Sequence, residues 1–277
     1  MKPRLGRVCY INCEPVYYGI EKGVVPAYCQ ILDGTPAELN EMLKRGELDL
    51  SVVSSIEYAR HHQDYLLLPE LAIAANGPVG SVLFFSRVPI NRLQGQKVLL
   101  TKSSLTSIYL IKILLGKAHN VSPIYLHDEV VPERLAQEDI QGVLLIGDEA
   151  LRTRARGRFP YVLDLGADWK ELTGLPFIFA LWAVREEYYR KNKRAVKALH
   201  QSLLASKAYS LAHLDEICDA VYDRVGMRKE DCYDYLHHNL SFDLTERHLE
   251  GFLCFLTMVE TQGESGNRRE AVTFRFI

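Results

Sequence analysis

The feature that most constrains this chain is a junction that recurs four times: an apolar, strand-like run breaks into small polar residues and a helix pattern begins at once. The junctions are Val8-Cys9-Tyr10-Ile11 into Asn12, Leu48 to Val53 into Ser54-Ser55, Val98-Leu99-Leu100 into Thr101 to Ser107, and Val143 to Ile146 into Gly147-Asp148. Strands alternating with helices at this rhythm predict βαβ units, an α/β class and a largely parallel sheet. In an open α/β sheet such junctions lie at the carboxyl ends of the strands, where ligands bind. Hydroxyls, amides and free backbone N–H groups at helix N-termini suit a small anion. Any one of these serines is equally accounted for as a helix N-cap; four junctions together read as a cleft.

Composition narrows the function classes. The chain has 277 residues, 48% hydrophobic and 25% charged, with a formal net charge of -2. That length accommodates two lobes, and the absence of a basic excess argues against a nucleic-acid partner. The six cysteines form no C-x-x-C pair and no zinc-type spacing, so they read as thiols of a reducing compartment and no metal is expected. Residues 1–7 run into a strand without an apolar signal region, and no stretch approaches the roughly 18 apolar residues of a membrane span. The expectation is a cytoplasmic protein with no membrane partner.

Thr35-Pro36-Ala37-Glu38 predicts a capping box with proline at the first helical position, opening a helix that Gly46 stops. Ser54-Ser55-Ile56-Glu57 predicts a second, which commits Ser54 to the helix and leaves Ser55 freer to face a ligand. Ser81–Ser86 and Phe177–Val184 are apolar runs expected to pass between lobes, around a middle segment with its own strands and helices. The expected division is therefore 1–84 plus 182–277 for the first lobe and 85–181 for the second, with the C-terminal helices packed largely on the first. Those helices are predicted over 186–211, 214–224, 229–238 and 245–261, with a short strand near 272–276 and a flexible connection over Gly263–Arg269.

The usual catalytic signatures are missing: no G-x-S-x-G elbow, Walker loop, dinucleotide fingerprint or H-E-x-x-H occurs. The histidines fall mostly in polar helix contexts, as in His61-His62 and His237-His238. A nucleotide, flavin or metal enzyme is not expected. The candidate cleft residues are Asn12, Ser55, Ser81, Ser103, Ser104, Thr106, Ser107, Gly147 and Asp148. Ser81 follows Gly77-Pro78-Val79-Gly80, whose glycines let backbone approach a ligand or make a tight interlobe turn.

Six segments in order carry a resemblance over essentially the full length: GRVCYINCEPVYYGIE (6–21), GTPAELNEMLKRGELDLSVVSSIEYAR (34–60), YLLLPELAI (65–73), GPVGSVLFFS (77–86), LTKSSLTSIYLIKILL (100–115) and TGLPFIFALWAVR (173–185). Together they resemble the MqnA family, the chorismate dehydratases of the futalosine route to menaquinone. Cys13 departs from the hydroxyl residue expected beside Asn12. The resemblance implies a two-lobed fold similar to the periplasmic solute-binding proteins (type II), with the ligand cleft between lobes. It also implies conversion of chorismate to 3-[(1-carboxyvinyl)oxy]benzoate with loss of water and no cofactor. Asn12 and Ser81 fall where that family's essential cleft residues lie, and Ser103–Ser107 where a substrate carboxylate is held. The competing readings are an anion-capturing solute-binding protein of the same fold, the effector domain of a regulator, and the sister naphthoate synthase of the pathway.

Overall fold

The computed structural model describes residues 2–128, 130, 139–261 and 272–277. Among them are two five-stranded sheets. The first contains β1 (Arg4–Val8), β2 (Gln30–Gly34), β3 (Leu50–Ser54), β4 (Tyr65–Ala75) and β10 (Phe177–Arg185), ordered β2-β1-β3-β10-β4. The second contains β5 (Val82–Ser86), β6 (Lys97–Leu100), β7 (Ile124–His127), β8 (Ile140–Ile146) and β9 (Tyr161–Asp164), ordered β7-β6-β8-β5-β9.

Both sheets follow one plan. Four of the five strands run the same way, and the strand arriving from the other sheet inserts antiparallel among them: β10 between β3 and β4, β5 between β8 and β9. The sheets are thus mixed, largely parallel in strand direction with one opposed strand in each. The arriving strands are covered on both faces, and β5 is buried at every position, which is why they read as unbroken apolar runs. The expected lobe bounds, 84 and 182, fall inside these two strands. Each strand keeps its full ladder within one sheet, since changing sheets midway would strand buried N–H and C=O groups. The chain crosses instead at 76–81 and 174–176.

The parallel strands lead into helices as their sequence dictates. After β1 the chain makes a turn over 10–13, closed by the Cys13 N–H donating to the Tyr10 carbonyl at 3.0 Å. The expected strand through Ile11 therefore ends at Val8, and α1 (Glu14–Glu21) follows with Pro15 in its first turn. In α2 (Pro36–Arg45) the Thr35 capping box is reciprocal: the Glu38 N–H donates to Thr35 Oγ1 at 3.3 Å and the Thr35 N–H to Glu38 Oε2 at 2.8 Å. Short α3 (Ser55–Arg60) follows β3, α4 (Leu105–Ile113) follows β6, and α5 (Gly147–Arg156) follows β8. Helix α6 (Leu165–Thr173) leads to the second crossing.

Beyond β10 come α7 (Glu186–Ala212), α8 (Leu214–Val225), α9 (Lys229–Asp234), a π turn over Tyr235–Asn239, and α10 (Glu246–Thr261). Helix α7 is kinked at Asn192 (φ -132°, ψ 33°), where an unbroken helix was expected. It packs on α1, β4 and β10, whereas α8 also reaches α5 and α10 also reaches α4, so this helical layer spans both lobes. The expected terminal strand is a single bridge from Phe276 to Leu67; the expected connection over Gly263–Arg269 lies outside the described residues. A buried chain of hydrogen bonds, Trp182 Nε1 to Tyr17 OH to the Gly6 carbonyl, each 3.0 Å, locks α1 against β1 and β10.

Candidate active site

Five helix N-termini, those of α1 to α5, converge on the space between the sheets. Each supplies a wall residue: Asn12 and Cys13 before α1, Pro36 opening α2, Ser54 before α3, Ser104 and Ser107 at α4, Ile146 and Gly147 at α5. Apolar side chains complete the wall, among them Val52, Ile73, Val82 and Phe179, together with Tyr10. No Lys, Arg, His, Asp or Glu is among the lining residues. The partial positive ends of these helices and their hydroxyls are therefore what the cleft offers an anion. Its volume is about 70 Å³, below the roughly 300–1,000 Å³ of small-molecule pockets. A ligand the size of a substituted ring enters only if the lobes part.

Asn12 stands on the 10–13 turn, and its buried Oδ1 has no hydrogen-bond partner. A buried carbonyl left unpaired costs free energy and points to a ligand group or water. Beside it Cys13 is 2% exposed, and burial pushes its thiol well above the ordinary range, so it serves as wall rather than nucleophile. At α4, Ser104 Oγ accepts the Ser107 N–H at 3.2 Å and lies 3.1 Å from Ser107 Oγ, which places two hydroxyls together on the cleft. Gly147 is left-handed (φ +58°), and a Cβ there would come within 2.7 Å of the Tyr10 ring. The two walls meet there, and only glycine fits.

Three of the sequence candidates are spent on the fold. Ser55 is fully buried and donates to the Ile178 carbonyl. Ser54 caps α3 as expected, accepting the Glu57 N–H at 3.4 Å, and it, not Ser55, also lines the cleft. Thr106 Oγ1 accepts the Ile56 N–H at 3.0 Å, joining α4 to the start of α3 across the lobes. Asp148 Oδ1 accepts the Ile11 N–H at 3.0 Å, and its Oδ2 is 3.6 Å from Arg224, whose guanidinium also holds Glu14 and the Cys9 carbonyl. Burial raises the Asp148 carboxyl above its ordinary range, against the opposing pull of the Ile11 N–H and of Arg224. Its position makes it a tie between α5 and the Asn12 turn rather than a ligand group. Ser103 is not among the lining residues; its N–H donates to Thr101 Oγ1 at 3.1 Å.

Ser81 is 1% exposed and is not itself among the lining residues, but it precedes Val82, which is. Its carbonyl accepts the Gly147 N–H at 2.7 Å, and its Oγ accepts from Tyr235 OH at 2.8 Å. Tyr235, Arg224 and Tyr10 are contributors that sequence reasoning missed. Tyr235 and Arg224 come from helices that read as ordinary amphipathic segments far along the chain, and no local pattern marks them. Among the described residues no group of three or more His, Cys, Asp or Glu could hold a metal. No helix there is long and apolar enough to cross a membrane.

Two mixed α/β sheets joined by a double crossing, with helix N-termini facing the gap, define a two-lobed protein of the periplasmic-binding-protein-like fold. The crystal structure of the periplasmic aliphatic sulphonate binding protein of Escherichia coli superposes with a TM-score of 0.68 at 13% identity, covering 96% of this chain and 94% of that one. A family model described as menaquinone biosynthesis matches residues 3–261, and the chain belongs to that family. It is 34% identical over 267 residues to a chorismate dehydratase of Thermus thermophilus, covering 91% of this chain and 93% of that protein. It is also 30% identical over 182 residues to a 1,4-dihydroxy-6-naphtoate synthase of the same organism, covering 65% of this chain and 63% of that protein.

Proposed function

We propose that the chain is a chorismate dehydratase, a carbon–oxygen lyase that eliminates water from chorismate to give 3-[(1-carboxyvinyl)oxy]benzoate in menaquinone biosynthesis. The observation that carries this reading is the near end-to-end similarity to the Thermus thermophilus enzyme. The cleft supports it, being built for an anion yet lined by no ionisable base of ordinary strength.

Chorismate is a cyclohexadiene with a ring carboxylate and an enolpyruvyl carboxylate, one dehydration short of an aromatic ring. Loss of the ring C3 proton gives an anion delocalised through the diene toward the ring carboxylate; the C4 hydroxyl then leaves with a proton as water. Aromatisation drives the second step, so the barrier lies in reaching the anion. The helix N-termini and the Ser104–Ser107 pair hold the ring carboxylate, on which negative charge grows, and stabilise it where it develops. The enolpyruvyl carboxylate of the substrate takes the C3 proton and releases it to the departing hydroxyl. Asn12 fixes that carboxylate through its amide and Ser81 through its hydroxyl, supplying geometry rather than basicity.

The test is incubation of the purified chain with chorismate, following loss of the diene absorbance and the product mass. Formation of the enol-ether benzoate with release of one water is expected. Binding of chorismate without turnover would make the protein an anion-binding member of the same fold. Conversion of the cyclised substrate of the naphthoate synthase, with chorismate untouched, would assign it to that sister activity, to which the second relative points.

A further inference from the structure

We propose that Tyr235 is a positioning residue of this site, donating a hydrogen bond that fixes Ser81 and directs the serine's own proton away from the phenol toward the substrate. The proposal deepens the chorismate dehydratase reading and rests on it.

Tyr235 opens the π turn after α9 and is 3% exposed. Its hydroxyl lies 2.8 Å from Ser81 Oγ, inside the protein. Burial raises the phenol far above its ordinary range, so it stays protonated at any working pH and remains a donor. A serine hydroxyl has one proton. With a donor fixed on one side, the orientations that point this proton at the phenol are removed, and those that offer it elsewhere remain. A serine held so is a preset donor, suited to a carboxylate that must be placed within an ångström of the ring proton.

The backbone around Ser81 does not depend on that bond. Asp164 accepts the N–H groups of Val79 at 2.9 Å and Gly80 at 2.7 Å, Asn239 Nδ2 donates to the Pro78 carbonyl at 3.1 Å, and the Gly147 N–H holds the Ser81 carbonyl. Gly80 is left-handed (φ +75°), and a Cβ there would stand 3.0 Å from Tyr235 Cδ2, so glycine gives the ring its approach. The aromatic ring fills the space, while the hydroxyl acts on Ser81 Oγ alone among the described partners. Removing the hydroxyl therefore separates the orienting role from the packing role.

The experiment compares wild type, Tyr235→Phe, Ser81→Ala and the double variant in the full chain, by steady-state kinetics on chorismate and by single turnover with enzyme in excess, where slow variants remain measurable. Tyr235→Phe is expected to melt within about 2 °C of wild type and to lose roughly tenfold in kcat with KM changed less than threefold. In the Ser81→Ala background it is expected to cost nothing further, because the group it orients is gone. Wild-type turnover by Tyr235→Phe overturns the proposal, and so does an equal loss in both backgrounds, which would place the phenol's effect elsewhere. A wild-type chain that does not dehydrate chorismate overturns the functional reading itself, an outcome distinct from either.

Discussion

Replacing Asn12 by leucine is expected to make the protein more stable and nearly inactive at once. Leucine repeats the branched shape of asparagine without its polar ends. In the structure Asn12 Oδ1 is buried with no partner, and an unsatisfied buried carbonyl costs about 1–3 kcal/mol. Removing it returns that energy, and at roughly 2 °C per kcal/mol for a chain of this length the melting temperature rises by ~2–6 °C. Turnover moves the other way. If the amide fixes the carboxylate that takes the ring proton, its loss misplaces the reacting atoms by about an ångström, which can cost about a hundredfold, or ~2.7 kcal/mol of barrier. Calorimetry and a diene-absorbance assay on one preparation read both numbers. A variant that melts several degrees lower and turns over within threefold of wild type would refute the reasoning, because the carbonyl would then be serving the fold.

Substitutions at the start of α4 distinguish the anion site from the fold. Ser104→Ala with Ser107→Ala should raise the chorismate Kd by roughly 10- to 150-fold, the equivalent of one charged hydrogen bond at about 1.5–3 kcal/mol, and, because Ser104 caps α4, should lower stability by about 0.5–2 kcal/mol. Thr106→Val should lower stability by about 1–3 kcal/mol by orphaning the buried Ile56 N–H, a loss read by denaturant titration. Asp148→Asn tests the tie to the Asn12 turn through its pH dependence. Burial raises the native Asp148 carboxyl above its unfolded value, so the native state binds the proton more readily and ionisation costs stability as pH rises through the native pKa. The unfolding free energy of Asp148→Asn minus that of wild type should therefore increase from about pH 4 upward and then level off. A difference that is flat, or that falls with pH, excludes burial as the dominant influence on that carboxyl.

Much of the site was legible because it is built from local chemistry. The strand-to-helix junctions and the Thr35 capping box are each set by a few neighbouring residues, and the N-termini they define do converge on one cleft. What was not legible is orientation. Ser54 and Ser55 are chemically alike and adjacent, and which one faces the gap depends on where the Ile178 carbonyl lies, 123 residues away. Thr106 and Asp148 looked like ligand groups because they are polar and sit at helix starts. Each instead meets a backbone N–H of the opposite lobe, a partner visible only once the lobes are assembled. The crossings lie several residues before the expected bounds of 84 and 182 for a similar reason: hydrophobicity marks a strand buried on both faces but does not say which sheet buries it. Tyr235 lies 154 residues from Ser81, beyond the reach of any periodicity.

The uncharged lining of the cleft sets how a ligand arrives. A chain of net charge -2 gives a dianion no pull from a distance, and the field of a helix end fades within a turn, about the span over which physiological salt screens charge. Attraction begins only at contact. Association should therefore proceed without long-range steering and change little with ionic strength, unlike capture by an arginine-lined pocket. Discrimination among the many anions of a cell then rests on which of them can satisfy several fixed hydrogen bonds simultaneously while allowing the lobes to close.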